Sequence, residues 1–116
     1  MTTDASCIFC KIVSGQIPST QAYRDETSYA FNDIHPAAPV HVLVVPIMHA
    51  TFLTGMKTSD EPLLGHLLEV GATIARQKGI DRAGYRLLIN QGLNAGQQVD
   101  HLHVHVLGGR RLGAIG

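Results

Sequence analysis

Three histidines fall within five residues of one another: His101, His103 and His105, in the run HLHVHVL. Imidazole titrates near neutrality and can act as a base, a nucleophile or a metal ligand. Four more histidines, His35, His41, His49 and His66, lie upstream of the run. The only two cysteines, Cys7 and Cys10, stand close together near the N-terminus.

Alternation along a strand puts the three histidines on one face and Leu102, Val104 and Val106 on the other. Three imidazoles spaced roughly 6 to 7 Å apart suit two chemistries better than they suit a plain solvent face. One is a metal site that keeps a position open for water. The other is attack on phosphorus by a neutral imidazole, with flanking histidines donating hydrogen bonds to phosphate oxygens. A straight row does not supply three corners of a tetrahedron, so the first chemistry needs ligands from elsewhere. Asn90 to Gln97, just before the run, mixes glycines and amides. That permits close backbone approach to an anion but matches no Walker or dinucleotide fingerprint.

The cysteine pair Cys7-Ile8-Phe9-Cys10 closes too small a loop to be a useful staple. Half a metal site, a redox pair or two buried thiols all remain open for it.

These side chains need a scaffold, and the hydrophobic pattern supplies one. His41–Pro46 (HVLVVP) is almost continuously apolar and predicts a central strand. Ala22–Arg24 and Ser28–Asp33 flank an Asp25-Glu26 turn and predict a hairpin. Tyr85–Asn90 and His101–Leu107 predict two more strands. Leu63, Leu64, Leu67, Leu68, Gly71, Ile74 and Ala75 recur at helical spacing. Thr58-Ser59-Asp60 caps that helix, Pro62 sits in its first turn, and Gly79 follows its end. Cys7–Val13 predicts a short helix and Met48–Met56 a helical turn. The fold class is α+β: a five-stranded, mainly antiparallel sheet, one long helix on one face, and a short N-terminal helix.

A chain of 116 residues, 45% apolar and 16% charged, predicts one domain over 1–116. Residues 1–6 read as a flexible start and 110–116 as a C-terminal tail. Nine basic and nine acidic side chains cancel, which argues against a nucleic-acid partner but leaves room for a small anion. No apolar run is long enough to cross a bilayer and no secretory signal is visible. The expectations are no membrane partner and a cytoplasmic location.

HLHVHVL fits a histidine-triad pattern, H-φ-H-φ-H-φ-φ with φ apolar. The match continues through Ile8-Phe9-Cys10-Lys11-Ile12, Ile17-Pro18, Phe31-Asn32-Asp33-Ile34, Ala38-Pro39-Val40-His41, Val44-Val45-Pro46, Gly84-Tyr85-Arg86, Gly96-Gln97 and Leu107-Gly108-Gly109-Arg110. From about Cys7 to Arg111 the chain resembles the Hint-like branch of the histidine triad (HIT) superfamily, the purine nucleoside phosphoramidase type.

The resemblance implies a homodimer that hydrolyses nucleoside phosphoramidates and acyl-nucleotides, usually purine ones, through a nucleotidyl-histidine intermediate. It makes His103 the nucleophile, with His105 on the phosphate, His101 in support and His41 orienting His103. Asp33 would bind ribose hydroxyls and Ile34 the nucleoside. Asn90 would contact the phosphate or leaving group, beside the loop residues Gly96, Gln97 and Gln98. Gln98 stands where many members carry a serine that assists the leaving group, and an amide is a poor proton relay. The C-terminal tryptophan that many members carry is absent. Bacterial members with a similar N-terminal C-x-x-C imply zinc on Cys7, Cys10, His49 and His101, a closed structural set. His35 and His66 are left as bystanders, His66 on the exposed flank of the long helix. Two other functions stand beside the hydrolase: a nucleotide-binding or regulatory module with little turnover, and a metallohydrolase using the triad as ligands.

Overall fold

The computed structural model describes residues 3–116. The expectation of a flexible start at Met1 and Thr2 lies outside the described residues. Asp4 begins a hydrogen-bonded turn instead of a loose end: Oδ1 accepts from Ser6 N–H (2.9 Å) and its hydroxyl (2.6 Å), and Cys7 N–H donates to Asp4 C=O (3.1 Å).

The elements are α1 (Ile8–Val13), β1 (Gln21–Arg24), β2 (Ser28–Asn32), β3 (Val40–Pro46), α2 (Glu61–Gln77), β4 (Tyr85–Leu88) and β5 (Val104–Gly108). The strands form one sheet in the order β1-β2-β3-β5-β4, every pairing antiparallel. β3 is the middle strand, as its apolar run predicts. α2 starts where Asp60 and Pro62 mark its beginning and stops at Lys78, followed by Gly79 at φ +74°.

Both faces of the sheet are covered. Leu67, Val70, Ile74 and Ala75 of α2 pack on Ala30, Val42, Val44, Leu102, Val104 and Val106. Gly71 lets α2 approach closely, since a Cβ there would meet Leu87 Cδ2 at 3.0 Å. On the opposite face Phe9 and Val13 of α1 cluster with Tyr29, Phe31, Leu43 and Val45. Alternate residues of β3 therefore serve different clusters, which explains why its sequence does not alternate.

Two expected elements are shorter than their apolar runs. β5 begins at Val104, not His101, and its ladder with β3 ends at the Val44–Val104 pair. Beyond it Pro46 has no N–H to offer, its carbonyl faces the His101 ring, and Leu102 N–H donates to Ala50 C=O (2.6 Å). β4 stops at Leu88, two residues before Asn90. The helical turn expected across Met48–Met56 contracts to a single 3₁₀ turn at Leu53–Gly55.

His66 is not on an exposed flank. It is half-buried, and its Nε2 meets Asp25 Oδ2 at 2.5 Å, tying α2 to the β1–β2 turn. The tail is pinned at two points: Arg110 donates to Ala37 C=O (2.9 Å) and Arg86 to Gly113 C=O (3.1 Å).

Candidate active site and metal centre

The histidine run does not form a straight row of three imidazoles. His103 and His105 point together, with ring centroids 4.9 Å apart. His101, wholly buried, precedes the strand and turns its ring toward the cysteines.

His103 and His105 line a cavity of about 230 Å³ with Asp33, Ile34 and Gln98. Its apolar wall includes Ile8 and Phe9 of α1, Phe31 of β2 and Leu43 of β3. Phe9 packs edge-on against His103, centroids 5.1 Å apart and planes at 89°, and against Phe31 at 5.5 Å. The short helix thus fixes the orientation of the His103 ring.

Backbone groups determine which ring nitrogens carry protons. His103 Nδ1 lies 2.7 Å from the carbonyl oxygen of His101. A carbonyl only accepts, so Nδ1 bears the proton and Nε2 keeps its lone pair. Ala37 N–H donates to His41 Nδ1 at 3.0 Å, so His41 carries its proton on Nε2. That nitrogen is 2.9 Å from His105 Nδ1. His105 must accept there and carry its own proton on Nε2. His105 Nε2 is buried and has no partner among the described residues. It is a donor awaiting an acceptor.

Burial lowers the pKa of all three rings. His105 falls to about 4, first through burial and then through the charge His103 and His41 would carry, against the opposing pull of Asp33. His41 and His103 shift down for the same leading reason, again opposed by Asp33. The pair is therefore neutral near pH 7: a bare lone pair on His103 and an N–H on His105.

His41 does not orient His103, contrary to expectation. It packs on His105, and the His101 carbonyl orients His103. Asp33 sits at the cavity edge. Its Oδ1 accepts from His35 N–H (2.9 Å), and its Oδ2 lies 3.5 Å from His41 Nε2. Ile34 is 84% exposed at the rim, free to cover a planar ligand.

Neither His41 nor His101 lines this cavity, and three expected substrate-binding residues do not either. Gln97 closes its own loop, accepting from Gly92 N–H (2.8 Å) and donating to Val99 C=O (3.2 Å). Gly96, at φ +83°, ends the 3₁₀ turn Leu93–Ala95 in a conformation that favours glycine. Asn90 supplies its carbonyl to Gln91.

The second cluster is Cys7, Cys10, His49 and His101, whose sulfur and nitrogen atoms all lie within 4.8 Å of one another. Sγ of Cys7 is 3.3 Å from His101 Nδ1, and Sγ of Cys10 is 3.6 Å from Nδ1 of both His101 and His49. Tetrahedral zinc with ordinary Zn–S and Zn–N bonds requires S···N separations of about 3.5 Å. Both rings are held in the ligating tautomer. His101 Nε2–H donates to Pro46 C=O (2.9 Å). Thr51 donates its hydroxyl proton to Asp100 C=O (3.0 Å), so it accepts from His49 Nε2–H (3.2 Å). Both Nδ1 lone pairs therefore face the sulfurs, with protein acceptors behind them, as metal-binding histidines require. Burial pushes the Cys10 thiol up; a bound dication would reverse that. The donor set fits a closed Cys2His2 site.

A five-stranded antiparallel sheet that presents two neutral histidines of opposite proton polarity to one small cavity defines a class: proteins of the histidine-triad type. The HIT domain family model matches residues 14–112, and the chain belongs to that family, as a HIT hydrolase.

A purine nucleoside phosphoramidase of Escherichia coli (strain K12) is 43% identical over 106 residues, 91% of this chain and 89% of that protein. A 14 kDa zinc-binding protein of Zea mays is 45% identical over 112 residues, 94% of this chain and 86% of its own length. Among solved structures, a histidine triad protein from Clostridium difficile superposes with a TM-score of 0.94 at 42% identity, covering 99% of this chain and 100% of that one. A HIT family hydrolase from Legionella pneumophila Philadelphia 1 gives 0.90 at 39% identity, covering 93% and 96%. No helix among the described residues is long and apolar enough to cross a membrane.

Phe9 and Thr51 are functional neighbours that the sequence did not single out. Phe9 was visible only as an apolar residue in a short helix. Nothing in the spacing of Thr51 marks it.

Proposed function

We propose that the chain hydrolyses phosphoramidate or acyl-phosphate bonds at the α-phosphate of purine nucleoside monophosphates. The observation that carries this reading is the opposite proton polarity of His103 and His105 at one cavity.

With the α-phosphoryl group in the cavity, His103 Nε2 attacks phosphorus. The bond to the leaving group breaks with its electron pair: a carboxylate departs as the anion, and an amine departs neutral by taking a proton from solvent. The His105 N–H donates to a phosphate oxygen as charge builds there. Water then attacks the nucleotidyl-histidine, releasing the nucleoside monophosphate and restoring the His103 lone pair. Asp33 accepts from the ribose hydroxyls and Ile34 covers the base. Gln98 reaches the leaving-group side as a hydrogen-bond donor, without relaying a proton.

The same geometry disfavours a metallohydrolase built on the triad. Asp33, His41 and His105 come close enough to hold an ion, but His41 Nε2 carries a proton toward His105, and a metal would need the lone pair there.

Zinc is the resident metal of this proposal, held by Cys7, Cys10, His49 and His101. It would cross-link the N-terminal segment to the start of the histidine run, leaving no open position for substrate. A homodimer is part of the same reading. Among the described residues β4 ends the sheet with an unpaired edge that a second copy can extend.

Incubation with an adenosine phosphoramidate tests the function. Turnover should vanish in His103→Ala and survive brief chelator treatment that leaves the Cys2His2 zinc in place. AMP binding without turnover in the wild-type chain would replace the enzyme with a nucleotide-binding module. Turnover lost with chelator in a still-folded chain whose Cys2His2 zinc is still bound would restore the metallohydrolase. A monomeric mass at micromolar concentration would remove the dimer.

A further inference from the structure

His101 belongs to both clusters through different atoms. Its Nδ1 faces the two sulfurs at 3.3 and 3.6 Å, and its carbonyl oxygen takes the Nδ1 proton of His103 at 2.7 Å. That carbonyl lies outside the sheet, because β5 begins only at Val104. No strand ladder fixes its direction.

The segment is held instead by three attachments. The His101 ring bonds Pro46 C=O, Leu102 N–H bonds Ala50 C=O, and the Thr51 hydroxyl bonds Asp100 C=O. Thr51 also holds His49 through Nε2. His49 is therefore fastened through Thr51 to the peptide that precedes His101, and the His101 ring is fastened to the end of β3 at Pro46. Phe9, between Cys7 and Cys10, packs on the rings of His101 (5.9 Å) and His103 (5.1 Å), so the cysteine-bearing helix bears on the same spot.

We infer that metal occupancy at Cys7, Cys10, His49 and His101 orients the nucleophile, with Thr51 and the His101 peptide as the positioning residues that transmit it. The inference rests on the assignment of His103 as nucleophile. With the cluster filled, the His101 carbonyl is fixed and His103 is confined to the Nδ1–H tautomer, leaving Nε2 free for phosphorus. With the cluster empty, the His101 ring keeps its Pro46 bond and only weak S–H donors from the two thiols on Nδ1. The carbonyl then gains freedom, and His103 divides between its two tautomers.

The test is ¹⁵N–¹H multiple-bond NMR of the imidazoles, which separates the tautomers without substrate. The zinc-loaded wild type should show His103 as a single Nδ1–H species. Stripping zinc should mix the tautomers while near-UV circular dichroism still reports a packed core. Thr51→Val, kept zinc-loaded, avoids dependence on that apo state. It should bind zinc about 10-fold or more weakly, mix the His103 tautomers, and lower kcat with little change in KM. Thr51→Ser should restore all three. A single Nδ1–H signal in loaded Thr51→Val, or a wild-type chain that takes up no zinc, overturns the coupling. The two readings separate cleanly. Metal-dependent tautomers without turnover of an adenosine phosphoramidate keep the coupling and remove the hydrolase. Full turnover with tautomers indifferent to zinc does the reverse.

Discussion

Nε2 of His41 lies 2.9 Å from Nδ1 of His105, and the two rings are tilted with centroids 5.1 Å apart. Through this one bond a backbone amide at Ala37 sets the proton on His105, two side chains away. The fourth histidine of the site thus prepares the hydrogen-bond donor, while a backbone carbonyl prepares the nucleophile.

Substituting His41 should therefore damage catalysis without touching the attacking nitrogen. His41→Ala frees Nδ1 of His105 and lets its proton leave Nε2. We expect kcat to fall about 10²-fold, the lower end for a lost acid–base partner, and AMP affinity to change far less. His103→Ala should abolish the covalent intermediate altogether. Single-turnover kinetics with a phosphoramidate, trapped by an alkaline denaturing quench that preserves P–N bonds, distinguishes the two: His41→Ala still accumulates a nucleotidyl-protein and His103→Ala forms none.

The fold was largely legible because it follows from hydrophobic period. The unbroken apolar run His41–Pro46 required a strand covered on both sides, and β3 is that strand. The heptad-like leucines required a helix lying on a sheet, and α2 is that helix. His103, His105, Asp33, Ile34 and Gln98 do meet at one cavity. What escaped reading depends on single backbone groups. Alternation alone puts His101 in line with His103, but Pro46 ends the ladder and turns that ring away. Likewise, nothing in the types of Asn90, Gly96 and Gln97 tells a loop-closing amide from a ligand-binding one. The pairing of His66 with Asp25 spans 41 residues, and no local pattern encodes it.

That pairing should matter for stability. Asp25 accepts from Tyr23 hydroxyl (2.7 Å), His66, Thr27 N–H (2.9 Å) and Ser28 N–H (2.8 Å). Burial alone would raise its carboxyl, but these donors together hold it well below the usual range. Asp25→Ala leaves several donors without an acceptor at the β1–β2 turn. A loss of about 1–3 kcal/mol is expected, read as a lower urea midpoint at unchanged slope. His66→Ala, which removes one partially exposed donor, should cost less. Equal losses would mean that α2 docking, and not the turn, depends on this carboxylate.

Core packing gives an independent check on the two-faced sheet. Leu67 on the α2 side is 1% exposed and Phe9 on the site side 6% exposed. Leu67→Ala should destabilise by about 2–5 kcal/mol while leaving kcat of the folded fraction unchanged. Phe9→Leu should cost less stability but lower kcat, because it removes the edge contact on His103. Thermal melts paired with initial rates at low temperature separate the two effects. If Leu67→Ala lowers kcat and Phe9→Leu does not, the assignment of the faces is wrong.

The buried imidazoles fix how stability depends on pH. His105 titrates near 4 in the folded chain against an ordinary value of 6.5, and His41 shifts the same way. Between those values the unfolded chain takes up protons that the folded chain refuses. Stability is thus full above about pH 6.5 and is lost progressively as pH falls toward 4. His101, also lowered to about 4 and chiefly by burial, adds to the slope with the same sign. The depressed carboxyl of Asp25 acts lower still: its contribution stands above about pH 3.9 and disappears as pH falls below that. Urea midpoints at pH 7.5, 6.5, 5.5 and 4.5 should therefore be level across the first pair and fall across the rest. His105→Asn removes one of the titrating rings and should flatten the fall. A midpoint that holds steady down to pH 4.5 would mean these histidines are not neutral and buried together, and the proton polarity assigned to the pair would go with it.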